Sequence, residues 1–104
     1  MLKLQYAARY RRDLRRLRES GKDLGKLQPL ITLLRQGGVL PPCYKDHQLT
    51  GDLWQFRDAH VDEPDDWVLV YRISGGVLHL ARTGEHAHVF RASGSPWHRR
   101  QKPR

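Results

Sequence analysis

The chain has 104 residues, 38% hydrophobic and 29% charged, a composition that suits one small globular domain rather than a disordered or multidomain protein. No apolar run approaches the roughly 20 residues that span a bilayer, residues 1–6 lack the apolar core of a signal peptide, and the lone Cys43 excludes an internal disulfide. A formal charge of +8, from 19 basic and 11 acidic residues, favours a polyanionic partner, and the expected location is cytoplasmic.

That charge is uneven. Residues 1–40 hold 10 basic and 3 acidic side chains, residues 41–90 hold 4 and 8, and residues 91–104 hold 5 and none. Two basic ends therefore flank a weakly acidic middle that carries most of the histidines.

In chain order, Leu2, Leu4 and Tyr6 alternate with Lys3 and Gln5 and predict a short strand. The period changes at Ala7: Tyr10, Leu14 and Leu17 make one helical stripe, with six arginines between Arg9 and Arg18 on the other faces, and Ser20-Gly21 ends the helix. Leu27, Leu30, Ile31 and Leu34 predict a second helix that Gly37-Gly38 stops. Pro29 requires that helix to start near Gly25 or Lys26, or to kink. Turn chemistry follows at Pro41-Pro42 and Thr50-Gly51. Strands are predicted over 53–57 and 67–73 from their aromatic and branched residues. Between them lies the loop Asp62-Glu63-Pro64-Asp65-Asp66, and after them a hairpin at Ser74-Gly75-Gly76 and a returning strand over 77–82. The order predicts an α+β fold: an N-terminal strand, two helices on one sheet face, then an antiparallel meander.

Three histidines fall in segments rich in proton-transfer partners: Tyr44-Lys45-Asp46-His47, Arg57-Asp58-Ala59-His60 with the later Asp65-Asp66-Trp67, and Arg82-Thr83-Gly84-Glu85-His86. Imidazole exchanges protons near neutral pH, so the pattern points to acid–base work on an anionic substrate. Antiparallel strands place His60 and Asp66 on either side of one loop, at the sheet end away from the hairpin, and the returning strand brings Arg82 and His86 back to that end. His47 enters from the loop before the meander. Each residue has a plainer alternative: Trp67 as core, Phe90 as core or as a stacking platform, His60 as a strand-end histidine, Asp65 and Asp66 as turn residues. His79 reads as structural, and His98 has no assigned role. His86 and His88 would share a face if they lay on a strand. Zinc would need further ligands, and no cysteine pair or His-Glu-x-x-His pattern supplies them, so no metal or cofactor is expected.

These segments, with Pro64-Asp65-Asp66-Trp67 and an Arg82-to-Phe90 stretch, resemble the YafQ-like branch of the RelE/ParE superfamily, the toxic partners of bacterial type II toxin–antitoxin modules. The resemblance covers roughly residues 1–90 and leaves 91–104 as a basic extension. It implies a small α+β toxin domain, ribosome-dependent and metal-free cleavage of mRNA, and a cognate antitoxin. It also raises operator DNA as a ligand of the toxin–antitoxin complex. His47, His60, Asp66, Trp67, His86 and Phe90 match the family's functional positions. The acidic turn is one residue longer than the family pattern, which leaves Asp65 and Asp66 as alternatives, with Asp66 favoured because it adjoins Trp67.

On that reading the 2′-hydroxyl of RNA attacks the neighbouring phosphate. His86 is the expected general acid, and His60, Asp66 or His47, in that order, the base. Lys45, Arg57 and Arg82 are candidates to hold phosphate oxygens, although Arg82 could instead pair with Asp58. Trp67 and Phe90 are candidates to position the RNA. The competing functions are a gyrase-binding toxin of the ParE type, which has no use for the histidines, and a non-catalytic nucleic-acid-binding module.

Overall fold

The computed structural model describes residues 1–37, 39–62 and 65–90. The elements are β1 (Lys3–Tyr6), α1 (Ala8–Glu19), α2 (Leu27–Arg35), β2 (His47–Gln48), β3 (Arg57–Asp62), β4 (Trp67–Ser74), β5 (Val77–Gly84) and α3 (His86–Phe90), with short 3-10 turns at Leu24–Lys26, Pro42–Tyr44 and Gly51–Leu53. The expected α+β class holds. One sheet has the strand order β1-β5-β4-β3-β2, with β1 parallel to β5 and the other pairs antiparallel.

The helices follow their sequence periods. Tyr10 and Leu17 of α1 and Leu27, Leu30 and Leu34 of α2 are buried against Ala59, Leu69, Tyr71, Leu78 and Leu80 of the sheet. Each such side chain contributes at most about 1.5–3 kcal/mol of transfer free energy. Helix α1 ends at Gly21, whose φ of +92° needs no Cβ, with the Lys22 amide closing back on Leu17 O at 3.0 Å. Pro29 is tolerated because α2 starts at Leu27. That puts proline in the first turn, where a backbone N–H has no partner within the helix to lose. The hairpin forms as expected, with Gly75 and Gly76 both at positive φ between Ser74 and Val77.

Two expectations are corrected. Residues 53–57 do not form a strand. Gly51, at φ +66°, opens a 3-10 turn instead, the Phe56 amide donates to Leu53 O at 2.8 Å, and β3 begins only at Arg57. The apolar run reads like a strand but buries Leu53, with Phe56 packed beside it, and leaves Trp54 outside. The meander also gains a two-residue neighbour, β2, so His47 sits on the sheet edge rather than in a free loop.

The turn at 51–53 and α3 together cover the second face of the sheet. Leu49, Leu53, Val89 and Phe90 pack on Val68, Val70 and Ala81. The molecule is therefore a three-layer arrangement, with a large helical core on one side and a small apolar cluster on the other.

Helix α1 is also held by a buried ion pair. Asp13, 4% exposed, lies on the apolar stripe three residues after Tyr10. Its carboxylate accepts from Arg82 Nε at 2.8 Å, Arg82 Nη2 at 3.2 Å and the Thr83 amide at 3.0 Å. Removing one partner of such a pair leaves a buried charge alone, at a cost of about 3–5 kcal/mol. Asp13→Ala should lower the unfolding free energy by that amount in urea titrations; a loss below about 1 kcal/mol would show that the pair is not holding α1 to β5.

Candidate active site

Strand β3 builds the centre of the site by alternation. Successive side chains point to opposite faces. Ala59 enters the helical core, while Asp58 and His60 emerge on the second face opposite Val70 and Val68. The β2 pairing sets His47 across from Asp58, and its Nε2 lies 3.0 Å from Asp58 Oδ1. The two groups are close enough for Coulomb attraction but are not aligned as a hydrogen bond. Among the described residues this buried oxygen has no donor.

The third histidine arrives from β5. Gly84, at φ +146°, turns the chain into α3, so His86 projects back over the sheet. Asp66 grips it twice: Oδ2 accepts the His86 amide at 3.2 Å and Oδ1 is hydrogen-bonded to Nδ1. This orients the ring with Nε2 3.9 Å from Asp58 Oδ2. The His60 and His86 ring centres are 5.5 Å apart, and Phe90 packs 5.9 Å from His86. Thus His47, His60, His86 and Asp66 converge as expected, around a carboxylate, Asp58, that the sequence expectations leave outside the site. Its sequence signal was its place two residues before His60, which on any strand puts the two on one face. The geometry also separates the two acidic turn residues: Asp66 meets His86, whereas Asp65 meets Lys22 at 3.1 Å.

Other expected pairings are not formed. Trp67 is 1% exposed, sits in the helical core and donates from Nε1 to Thr83 Oγ1 at 2.9 Å, so it has no surface to offer RNA. Arg82 pairs with Asp13 rather than Asp58 and is buried, which removes it as a phosphate ligand. Arg57 alternates with Asp58 and turns to the opposite face. There its Nε and Nη2 bind Asp46, which also takes the Tyr71 hydroxyl. Lys45, exposed, borders a cavity on that same side with Leu34 and Arg57. Phe90, 7% exposed, serves as the floor beneath His86 rather than an open platform. His86 and His88 diverge because they lie on a helical turn; His88 Nε2 approaches Asp13 Oδ1 at 3.7 Å. No group of three or more His, Cys, Asp or Glu side chains among the described residues is arranged to hold a metal ion. His98 and the basic extension lie outside the described residues.

Charge balance differs between the two carboxylates that flank β3. Burial raises Asp58 above the ordinary carboxylate value against the pull of His47, His86 and His60. Burial also opposes ionisation of Asp46, but the hydrogen bonds from Arg57 and Tyr71 outweigh it and hold Asp46 low. Asp46 is thus a satisfied structural anion, whereas Asp58 is a costly one kept among histidines, the arrangement expected of a functional group.

This arrangement of small α+β fold and histidine-lined sheet face has close counterparts among known proteins. A family model described as the bacterial toxin of type II toxin–antitoxin system, YafQ, matches residues 2–91. The mRNA interferase toxin YafQ of Escherichia coli K12 is 42% identical over 88 residues, which cover 84% of this chain and 94% of that protein. A copper-bound mutant toxin from Helicobacter pylori superposes with a TM-score of 0.81 at 34% identity, over 86% of this chain and all of that one. YafQ in the E. coli DinJ–YafQ complex gives 0.77 at 36% identity, over 86% of this chain and 99% of that one. The chain belongs to the YafQ family of toxins of bacterial type II toxin–antitoxin systems, and it is an endoribonuclease toxin.

A carboxyl whose folded-state pKa is raised favours folding at low pH, and its ionisation costs stability as the pH rises from the unfolded value through the folded one. Asp58→Asn should therefore raise the melting temperature at pH 7, and the gain should vanish once the pH falls below the ordinary value of 3.8, where both states are protonated. Thermal melts at both pH values check this; a lower melting point at pH 7 would contradict it.

Proposed function

We propose that this toxin cuts mRNA on the ribosome by metal-free acid–base catalysis and is silenced by a cognate antitoxin protein. The observation that carries the reading is the cluster of three histidines around buried Asp58, with His86 gripped by Asp66. RNA supplies its own nucleophile. His60 takes the 2′-hydroxyl proton as O2′ bonds to phosphorus. The bond from phosphorus to O5′ breaks, and His86 Nε2 delivers the proton to the leaving oxygen. The products are a 2′,3′-cyclic phosphate and a 5′-hydroxyl.

A separation of 5.5 Å between the two rings lets them flank one phosphate. Asp66 is better described as a positioning residue than as the base, because both its oxygens are engaged with His86. Asp58 offsets the positive charge that any of the three imidazoles acquires. With Arg57 and Arg82 turned away, charge on the phosphorane falls to the histidines, His47 among them. Each proton transfer is worth ~10²–10⁴-fold.

The weak native anchoring for phosphate suits a site that acts only where the RNA is already held. Helix α1 presents Arg11, Arg12 and Arg15 to solvent on the layer opposite the histidines, so ribosomal RNA bound there leaves the site open. Among the described residues no helix is long and apolar enough to cross a membrane, and a ribosome-directed toxin belongs in the cytoplasm. The solved DinJ–YafQ complex supports an antitoxin as partner.

His86→Gln should reduce ribosome-dependent cutting, read by primer extension in a purified translation system, by at least about 100-fold while leaving the melting temperature within a few degrees. Full cutting by that variant would overturn the acid assignment, and loss of wild-type cutting in EDTA with recovery on adding zinc would overturn the metal-free scheme. Replacing Arg11, Arg12 and Arg15 by Gln should weaken ribosome binding and lower its salt slope by about one for each phosphate no longer neutralised; an unchanged slope would place the ribosome-binding surface elsewhere.

A further inference from the structure

We propose that a cavity at the open end of the sheet, walled by Trp54, Gln48 and Arg72, is a subsite for a neighbouring nucleotide of the RNA strand being cut. The inference rests on the endoribonuclease reading and deepens it. The cavity holds about 450 Å³, within the range of small-ligand pockets, and is bordered also by Gln55, Arg57 and Ile73. It opens where β3 has not yet begun. The register starts at Arg57 opposite Tyr71, so β4 continues from Arg72 to Ser74 with no β3 partner alongside.

Three features suit a nucleotide. Trp54 is 58% exposed and Ile73 47%, an apolar surface left open at the rim of the cavity. A flat indole there offers the face on which a base stacks. Gln48 and Gln55 bring amides that can bond to base edges, and Gln48 Nε2 donates to Trp54 O at 2.7 Å, which holds the tryptophan segment against β2. Arg72 lies over the Phe56 ring at 6.0 Å and pairs with no carboxylate among the described residues, so its charge is available to a phosphate.

Placement supplies the link to the cut. Gln48 follows His47 directly on β2, but its rung with Arg57 turns to the helical face, so the walls nearest the histidines are Arg72 and Trp54, which directly follows the turn that covers the second face. Arg72 shares the second sheet face with Val68 and Val70, four residues from the position opposite His60, roughly 13 Å at the usual strand rise. A single strand bound across the histidines must continue in both directions, and one of them runs along that face toward Arg72. Among the described residues Trp54 is the one strongly exposed tryptophan on that path. The charge of Arg72 favours a polyanion over an acid-poor protein surface.

The test has two arms. In the first, a 12-nucleotide single-stranded RNA is titrated at low salt into protein carrying His86→Gln, which should bind without cutting, and tryptophan fluorescence is read. Quenching that disappears in His86→Gln with Trp54→Phe, together with roughly ten-fold weaker binding on Trp54→Ala, is expected. In the second arm, ribosome-dependent cutting is compared for wild type, Trp54→Ala, Trp54→Phe and Arg72→Gln. A KM raised about ten-fold with kcat nearly unchanged is expected for Trp54→Ala, with recovery in Trp54→Phe, because the truncation removes stacking and not acid–base chemistry. Equal quenching with and without Trp54, or wild-type cutting parameters in Trp54→Ala and Arg72→Gln, would overturn the subsite and leave the exposed indole to a protein partner. Failure of wild-type protein to cut at all would overturn the nuclease reading, while the binding arm would still decide the subsite.

Discussion

The buried pair between Asp13 and Arg82 is the constraint on which the rest of this toxin depends. It ties the middle of α1 to the far end of β5, and Arg82 Nη1 continues to Val89 O at 3.4 Å, so one guanidinium braces both the first helix and the last. Because β5 ends in Gly84 and α3 begins at His86, the same brace fixes where the His86 ring emerges. Arg16 adds a second tie, with Nη2 3.0 Å from Glu85 Oε1 and 2.9 Å from where a Cβ on Gly84 would lie. Glycine is needed there for two reasons: its backbone conformation disfavours other residues, and its hydrogen makes room for the arginine.

Structural and functional charges are partitioned by strand alternation. Arg57 and Asp58 are neighbours, yet one joins Asp46 and Tyr71 on the helical side and the other faces the histidines. The first group is saturated: Tyr71 is pushed well above its ordinary value by burial and by Asp46, and stays a neutral donor. The second is left short of donors. Stability is thus spent on Asp58, an unsatisfied carboxylate that on the proposed mechanism answers charge appearing on an imidazole.

The two faces of the sheet also divide the protein's work. A large core under α1 and α2 provides stability and carries the arginine-rich outer surface. A small apolar cluster on the other face, from Leu49 to Phe90, supports the histidines without burying them. On the proposed mechanism, a site of this kind needs little more than orientation. Asp66 supplies it for His86 through its two oxygens, and Phe90 supplies the floor.

The amino-acid order alone determined much of this. The helical stripes, the Gly75-Gly76 hairpin and the meander follow from periodicity and turn chemistry, which are local. The convergence of His60, Asp66 and His86 follows from antiparallel strand ends. What only the tertiary structure decided are matters of partner choice. Arg82 and Asp13 are 69 positions apart, and no local pattern links them. Trp67 and Trp54 look alike as apolar aromatics, but one lies at the start of a central strand and the other on the outer side of a 3-10 turn. The site residue Asp58 was legible in its spacing from His60, yet its environment was not. Burial, and with it the pKa of a carboxylate, comes from which strands and loops close over it, and that is a property of the packed sheet rather than of any segment.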